Sequence, residues 1–169
     1  MGEFRVTAEG WLSTGGWRYP CALGRAGIVR AKREGDGATP AGRWPLREVL
    51  YRSDRVARPA TGLPLSRIAP ADGWCDDPDH ADYNRRVRLP HAARCEHLWR
   101  EDALYDLICV IGYNDAPPLS GHGSAIFLHA AGPGYSPTAG CVALAPGDLR
   151  AILAAAAPGD HMVIVAPIP

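Results

Sequence analysis

Leu107-Ile108-Cys109-Val110-Ile111 is apolar at every position and mostly β-branched or strand-forming. The run is far too short for a membrane span, and without polar alternation it predicts a strand buried on both faces. Ala125-Ile126-Phe127-Leu128-His129 is a second run of this kind, and it ends on a histidine. Outward from this pair, Phe4-Arg5-Val6-Thr7-Ala8 alternates, and Trp44-Pro45-Leu46-Arg47-Glu48-Val49-Leu50-Tyr51 is partly apolar with strand-forming residues. Both predict half-buried strands. Met162-Val163-Ile164-Val165 predicts a last one.

The clearest helix signal begins at Pro146, where a missing N–H costs nothing in a first turn, and stops at Pro158-Gly159. Leu149, Ile152 and Leu153 share one face of it. His91 to Arg100 is read as a further short helix. With Gly 19 and Pro 16 spread through 169 residues, short strands and turns dominate. The expected fold class is mainly β, a β-sandwich or barrel with one or two short helices and a long loop insertion.

The length fits one domain, residues 1–169. Residues 59–100 are rich in Pro, Asp and Arg without a sustained period, and they are expected to form an ordered lid or insertion over the active site. Trp74 and Tyr83 argue against disorder there. Lys plus Arg, 18, equals Asp plus Glu, 18, so no global field draws the chain to nucleic acid or an anionic membrane. No apolar run approaches the roughly 20 residues of a span. Met1 to Val6 carries no secretory n-region or apolar core, so a cytoplasmic protein is expected, or a periplasmic one if a leader has been removed. Cys21, Cys75, Cys95, Cys109 and Cys141 form no C-x-x-C pair, which predicts free thiols. The acidic run Asp76 to Asp82 with His80 matches neither a calcium loop nor a zinc motif, and no metal or cofactor is expected.

Chemistry concentrates in His129-Ala130-Ala131-Gly132-Pro133-Gly134-Tyr135-Ser136-Pro137-Thr138-Ala139-Gly140-Cys141. A thiol attacks as thiolate, which an imidazole within hydrogen-bond reach generates, and the loop is long enough to fold Cys141 back onto His129. Gly140 permits a sharp turn, so the N–H groups of Gly140 and Cys141 are expected to converge as an oxyanion hole. The bland alternative is a buried structural cysteine and a strand-end histidine. A redox-sensing thiol is another, but the loop holds no resolving cysteine.

The segment resembles the YkuD-type L,D-transpeptidase family, whose signature is an upstream histidine, a loop, and then [Ser/Thr]-His-Gly-Cys-hydrophobic-[Arg/Asn]. Thr138, Gly140, Cys141 and Val142 match, and His129 takes the upstream place. Thr39, Pro40 and Gly42 match the family's early Thr-Pro-x-Gly element. The chain departs at Ala139, where the family has histidine, and at Ala143, where it has Arg or Asn. The resemblance implies a β-sandwich, a cysteine nucleophile, and attack on the bond between the L-centre of diaminopimelate and D-Ala in peptidoglycan stem peptides. Water as acceptor gives L,D-carboxypeptidase activity on soluble muropeptides, the outcome expected for a cytoplasmic chain. An amine gives a 3-3 cross-link. It also implies acylation by carbapenem β-lactams. The loss at Ala143 leaves open a catalytically inactive module that binds wall peptides.

Stem peptides carry carboxylates and an ammonium, so cationic and multi-donor groups are needed. The insertion offers Arg85 or Arg86 for a carboxylate, Tyr83, Asn84 and Trp74 for the peptide, and Asp76 or Asp77 for an ammonium. Thr138, Tyr113 and His122 are further candidates for lining the pocket.

Overall fold

A computed structural model describes residues 2–167. In chain order its strands are β1 (Glu3–Thr7), β2 (Trp11–Thr14), β3 (Trp17–Ala22), β4 (Ile28–Val29), β5 (Thr39–Pro40), β6 (Gly42–Tyr51) and β7 (Leu65–Arg67). They continue with β8 (Asp72–Cys75), β9 (Arg86–Arg88), β10 (Cys95–His97), β11 (Leu107–Ile111), β12 (Phe127–Ala130), β13 (Val142–Leu144) and β14 (His161–Ile164). Helix α1 (Pro146–Ala155) precedes β14, and Pro133–Tyr135 forms one 3-10 turn. The fold is mainly β with one α-helix, as the sequence indicates.

The large sheet runs β11-β12-β13-β3-β2-β1-β14-β6-β7, and a further β11–β6 pairing closes it on itself. Two strands make the corners. Gly42 to Pro45 of β6 pair with β14, whereas Leu46 to Tyr51 pair with β11. Trp17 to Pro20 of β3 pair with β2, whereas Cys21 and Ala22 pair with β13. The result is a flattened barrel whose two halves share β3 and β6, which leaves few unpaired edges.

Strand alternation divides the apolar residues between two clusters. Leu107, Cys109 and Ile111 of β11, Leu128 of β12, and Val142 and Leu144 of β13 point into the barrel. There they meet Leu149, Ile152 and Leu153 of α1. Ile108, Val110, Phe127 and Cys141 point to the opposite face. The apolar run of β11 thus feeds both clusters. Each fully buried side chain of this size contributes on the order of 1.5–3 kcal/mol.

Residues 59–100 cover that second face. They are not a loop: β8 is flanked by β9 and β10 in an antiparallel three-stranded sheet, and β7 pairs in parallel beside the end of β6. Strands of three or four residues are too short to show a period in sequence. Ile68, Trp74 and Leu98 from this segment pack on Phe127 and Tyr105. The short helix expected over His91 to Arg100 does not form; Cys95–His97 is β10, paired with β8. Its backbone groups find partners across the sheet, and the Leu98 N–H bonds to the Asp72 carbonyl. Cross-strand pairing has overridden a weak local preference.

Candidate active site

His129 stands on β12, and Cys141 immediately precedes the neighbouring parallel strand β13. Leu128 pairs with Val142 and His129 with Ala143, so Cys141, just ahead of β13, is diagonal to His129 on the same sheet face. Diagonal neighbours sit about 7–8 Å apart at Cα, within reach of long side chains. Both residues line a cavity of about 750 Å³ between the barrel and residues 59–100. They are 6% and 5% exposed.

Among the described residues Cys141 Sγ donates to the Ala125 carbonyl at 3.3 Å and accepts the Phe127 N–H at 3.4 Å. It makes no hydrogen bond to His129. Nδ1 of His129 lies 2.8 Å from the Ala130 carbonyl. A carbonyl only accepts, so Nδ1 carries the proton and Nε2 the free lone pair. The ring of Tyr105 meets His129 edge-on, with centroids 5.2 Å apart. Burial holds His129 below the usual imidazole range, opposed by its bond to Ala130. Burial, then the charge of Glu96, pushes the Cys141 thiol up to about 12, opposed by the Phe127 N–H and Lys32. At rest the pair is neutral thiol and neutral imidazole, not thiolate and imidazolium.

Thr138 organises the approach to Cys141. Its Oγ1 donates to the Cys141 carbonyl at 2.7 Å and accepts the Gly140 N–H at 3.1 Å. The Gly140 N–H is therefore occupied, and of the two expected oxyanion donors only the Cys141 N–H is without a partner among the described residues. Gly140 has φ +140, and a Cβ there would stand 2.7 Å from the Ala38 carbonyl oxygen. Any side chain at this position collides with the backbone of Ala38, just ahead of the early Thr39-Pro40-Ala41-Gly42 element. That element is tied in from the other side as well. Thr39 Oγ1 accepts the Gly24 N–H at 2.8 Å, and Gly24 bridges to Thr138.

Sequence reasoning missed several groups that line this cavity. Lys32 is one: its side chain is 3% exposed, and Nζ bonds Asp36 at 2.7 Å. The same Nζ lies 3.4 Å from where a Cβ on Gly140 would stand. Glu96 accepts the Tyr105 hydroxyl at 2.5 Å. Glu34 accepts the hydroxyls of Ser124, at 2.7 Å, and Tyr83. Arg25 lines the wall with no ion-pair partner among the described residues, whereas Arg100 is forked onto Asp102 at 2.8 and 2.6 Å. The nearest sequence signal is the Glu34 to Gly42 turn, beside Lys32, which marks backbone geometry and not charge.

Of the residues expected to bind substrate, Thr138 and Asp76 line the cavity, Asp76 paired with Arg94 at 3.0 Å. Tyr83 stands behind it, holding Glu34 and the Gly123 N–H. Trp74, Asn84, Arg85 and Arg86 line a different cavity, of about 240 Å³. Asn84 accepts from Trp74 Nε1 and the Ala125 N–H and donates to the carbonyls of Tyr113 and Asn114. Its hydrogen-bonding capacity is spent on the fold. Arg86 is bound to Asp72 and the Arg67 carbonyl. Asp77 caps its own turn through the Asp79 N–H. The Tyr113 hydroxyl donates to the carbonyl of His122, whose side chain is exposed, and neither residue lines the cavity.

The family model of the YkuD L,D-transpeptidase catalytic domain matches residues 9–165. No curated protein matches the sequence. Solved structures that resemble it include L,D-transpeptidase 1 of Mycobacterium tuberculosis, at 12% identity and TM-score 0.46, covering 98% of this chain and 59% of that one. An L,D-transpeptidase of Mycobacterium smegmatis gives 11% identity, TM-score 0.46 and 98% and 58% coverage. L,D-transpeptidase 3 of M. tuberculosis, in complex with a faropenem-derived adduct, gives 15%, 0.46, and 98% and 60%. The chain spans about 59% of the length of the first of these.

Proposed function

The chain belongs to the L,D-transpeptidase catalytic domain family, and from that premise we propose that it is a cysteine acyl-transfer enzyme acting on peptidoglycan stem peptides. The observation that carries the reading is the placement of Cys141 and His129 on one sheet face, opening into one cavity. In this reading His129 Nε2 takes the thiol proton as Sγ attacks the carbonyl carbon between the L-centre of diaminopimelate and D-Ala. The Cys141 N–H receives the developing oxyanion. The C–N bond then breaks, the imidazolium returns its proton to the departing amine of D-Ala, and a Cys141 thioester remains. Because the resting pair is neutral, the proton moves only when substrate is seated, which spares the thiol from idle oxidation.

Lys32 supplies the polar group near the nucleophile that Arg or Asn provides in the family and that Ala143 cannot. Its ammonium is buried beside Gly140, within range of the thiolate or of a substrate carboxylate. Arg25 is the second cation offered to a carboxylate, and Glu34 and Glu96 face a substrate ammonium. Charges of both signs in one cavity suit a peptide that carries both.

Water resolves the thioester in the reading placed first, giving a tripeptide from a tetrapeptide. Hydrolysis needs only the one peptide-binding cavity, whereas cross-linking must seat a second stem. Recycling of soluble muropeptides in the cytoplasm is the setting in which this product is useful, and cell fractionation tests that placement. The discriminating experiment is incubation with a disaccharide-tetrapeptide and with free tetrapeptide, followed by mass analysis. Tripeptide as the main product supports hydrolysis, and a 3-3 dimer overturns it in favour of an amine acceptor. Absence of turnover together with absence of a carbapenem adduct points instead to a peptide-binding module.

A further inference from the structure

The outer sheet of residues 59–100 gathers a second set of reactive side chains, independent of the acyl-transfer reading. Cys75 at the end of β8 is directly opposite Cys95 at the start of β10. The Cys75 N–H donates to the Arg85 carbonyl and its own carbonyl accepts the Asn84 N–H, both on the β9 side. Towards β10 it is therefore a non-hydrogen-bonded partner, the pairing in which Cα atoms approach to about 4.5 Å and side chains stand closest. His91, just ahead of β10, adds an imidazole, and one donor atom each from Cys75, His91 and Cys95 lie within 4.8 Å of one another.

A second cluster overlaps the first. Donor atoms of His80, Asp82 and His91 also lie within 4.8 Å of each other, and the two imidazoles meet edge to face with centroids 4.9 Å apart. His80 Nδ1 accepts the Asp82 N–H at 3.1 Å, so the proton of its neutral ring sits on Nε2. Asp82 Oδ2 is 3.1 Å from His91 Nε2, a carboxylate of the sort that accompanies ligating imidazoles. Two thiols and the His91 imidazole at one point are a donor set for a borderline-soft divalent cation, with His80 and Asp82 grouped on the other side of that imidazole.

We infer that Cys75, His91 and Cys95 form a zinc site, with Asp82 orienting the His91 imidazole through its Nε2. The ligands read as Cys75 and His91-x3-Cys95, which escapes a search for C-x-x-C because strand pairing, not a knuckle, brings the sulfurs together. Binding displaces the thiol protons to solvent and the Ala93 N–H from His91 Nδ1, and solvent fills the fourth position. The need is physical: β8, β9 and β10 have only 4, 3 and 3 residues, and a sheet this small gains from a staple. Cys95 is followed by Glu96, which lines the Cys141 cavity and holds Tyr105, so the ion fixes one wall of that cavity at a distance.

The test is elemental analysis of the full chain purified under reducing conditions, then cobalt(II) titration of the chelator-treated protein. The expected result is about one zinc per chain, and a cobalt–thiolate charge-transfer band with tetrahedral d–d intensity. Cys75→Ser and Cys95→Ser each reduce metal content to below about a tenth, whereas Cys109→Ala and Cys141→Ser retain it. The wild-type stoichiometry and cobalt spectrum decide the matter even where a variant fails to fold. Three results overturn the site: no zinc and no cobalt–thiolate band, a Cys75–Cys95 disulfide in non-reducing peptide maps, or a band abolished by Cys141→Ser.

Discussion

Cys141 is buried and its thiol pushed up to about 12, with the Glu96 charge among the causes and Lys32 opposing it. Glu96→Gln removes the charge that disfavours thiolate, so the pH profile for alkylation of Cys141 by iodoacetamide is expected to move to lower pH. Lys32→Met is expected to move it to higher pH. Opposite shifts are the signature of an electrostatic role, and shifts of the same sign would mean that both variants merely loosen the cavity. His129 is held below the ordinary imidazole range by burial. Its base form thus persists to lower pH than a free histidine, and kcat/KM is expected to fall only as pH drops through that lowered value. The stability sign is the same. The unfolded chain binds the proton more readily than the folded one, so this contribution is complete above the unfolded value and is lost as pH falls towards the folded value. The contiguous segment from His129 to Cys141 made the pair and Thr138 legible in sequence. Lys32, Glu96 and Tyr105 were not, because they come from three distant segments that only the closed barrel brings together.

At the scale of elements, strands with long apolar runs were legible and those of the outer sheet were not. Leu107–Ile111 and Trp44 to Tyr51 declare themselves by pattern, and Pro146 marks α1 by a mechanism local to the first turn. Cys95–His97 is only three residues and depends on β8 for its backbone partners. Trp74 anchors this sheet to the barrel through an edge contact with Phe127, centroids 5.0 Å apart, and through a 2.9 Å bond to Asn84, which in turn accepts the Ala125 N–H. Trp74→Ala is expected to cost about 3–5 kcal/mol in denaturant unfolding, with hydrogen exchange loosened first in residues 59–100. Thr39 is fully buried, and Thr39→Ala strands the Gly24 N–H without its acceptor. That change is expected to cost about 1–3 kcal/mol by the same measurement and to lower turnover, because Gly24 bridges to Thr138.

Across the whole molecule, β3 and β6 close one sheet into a barrel and leave a second face for chemistry. Cys141 and His129 occupy that face because each follows the strand alternation that buries Val142 and Leu128 on the other. A mainly β fold was legible from Gly, Pro and strand patterns, but closure depends on two strands changing partners midway, which no local pattern encodes. The same topology explains why Arg85 and Arg86, plausible on charge alone, line a separate cavity. The most direct test of the central claim is intact-mass analysis of the protein quenched in acid during turnover of a disaccharide-tetrapeptide, with peptide mapping of the adduct. A muropeptide acyl group on Cys141, with D-Ala release abolished in Cys141→Ala, is the predicted result. D-Ala release by Cys141→Ala at the wild-type rate would contradict it.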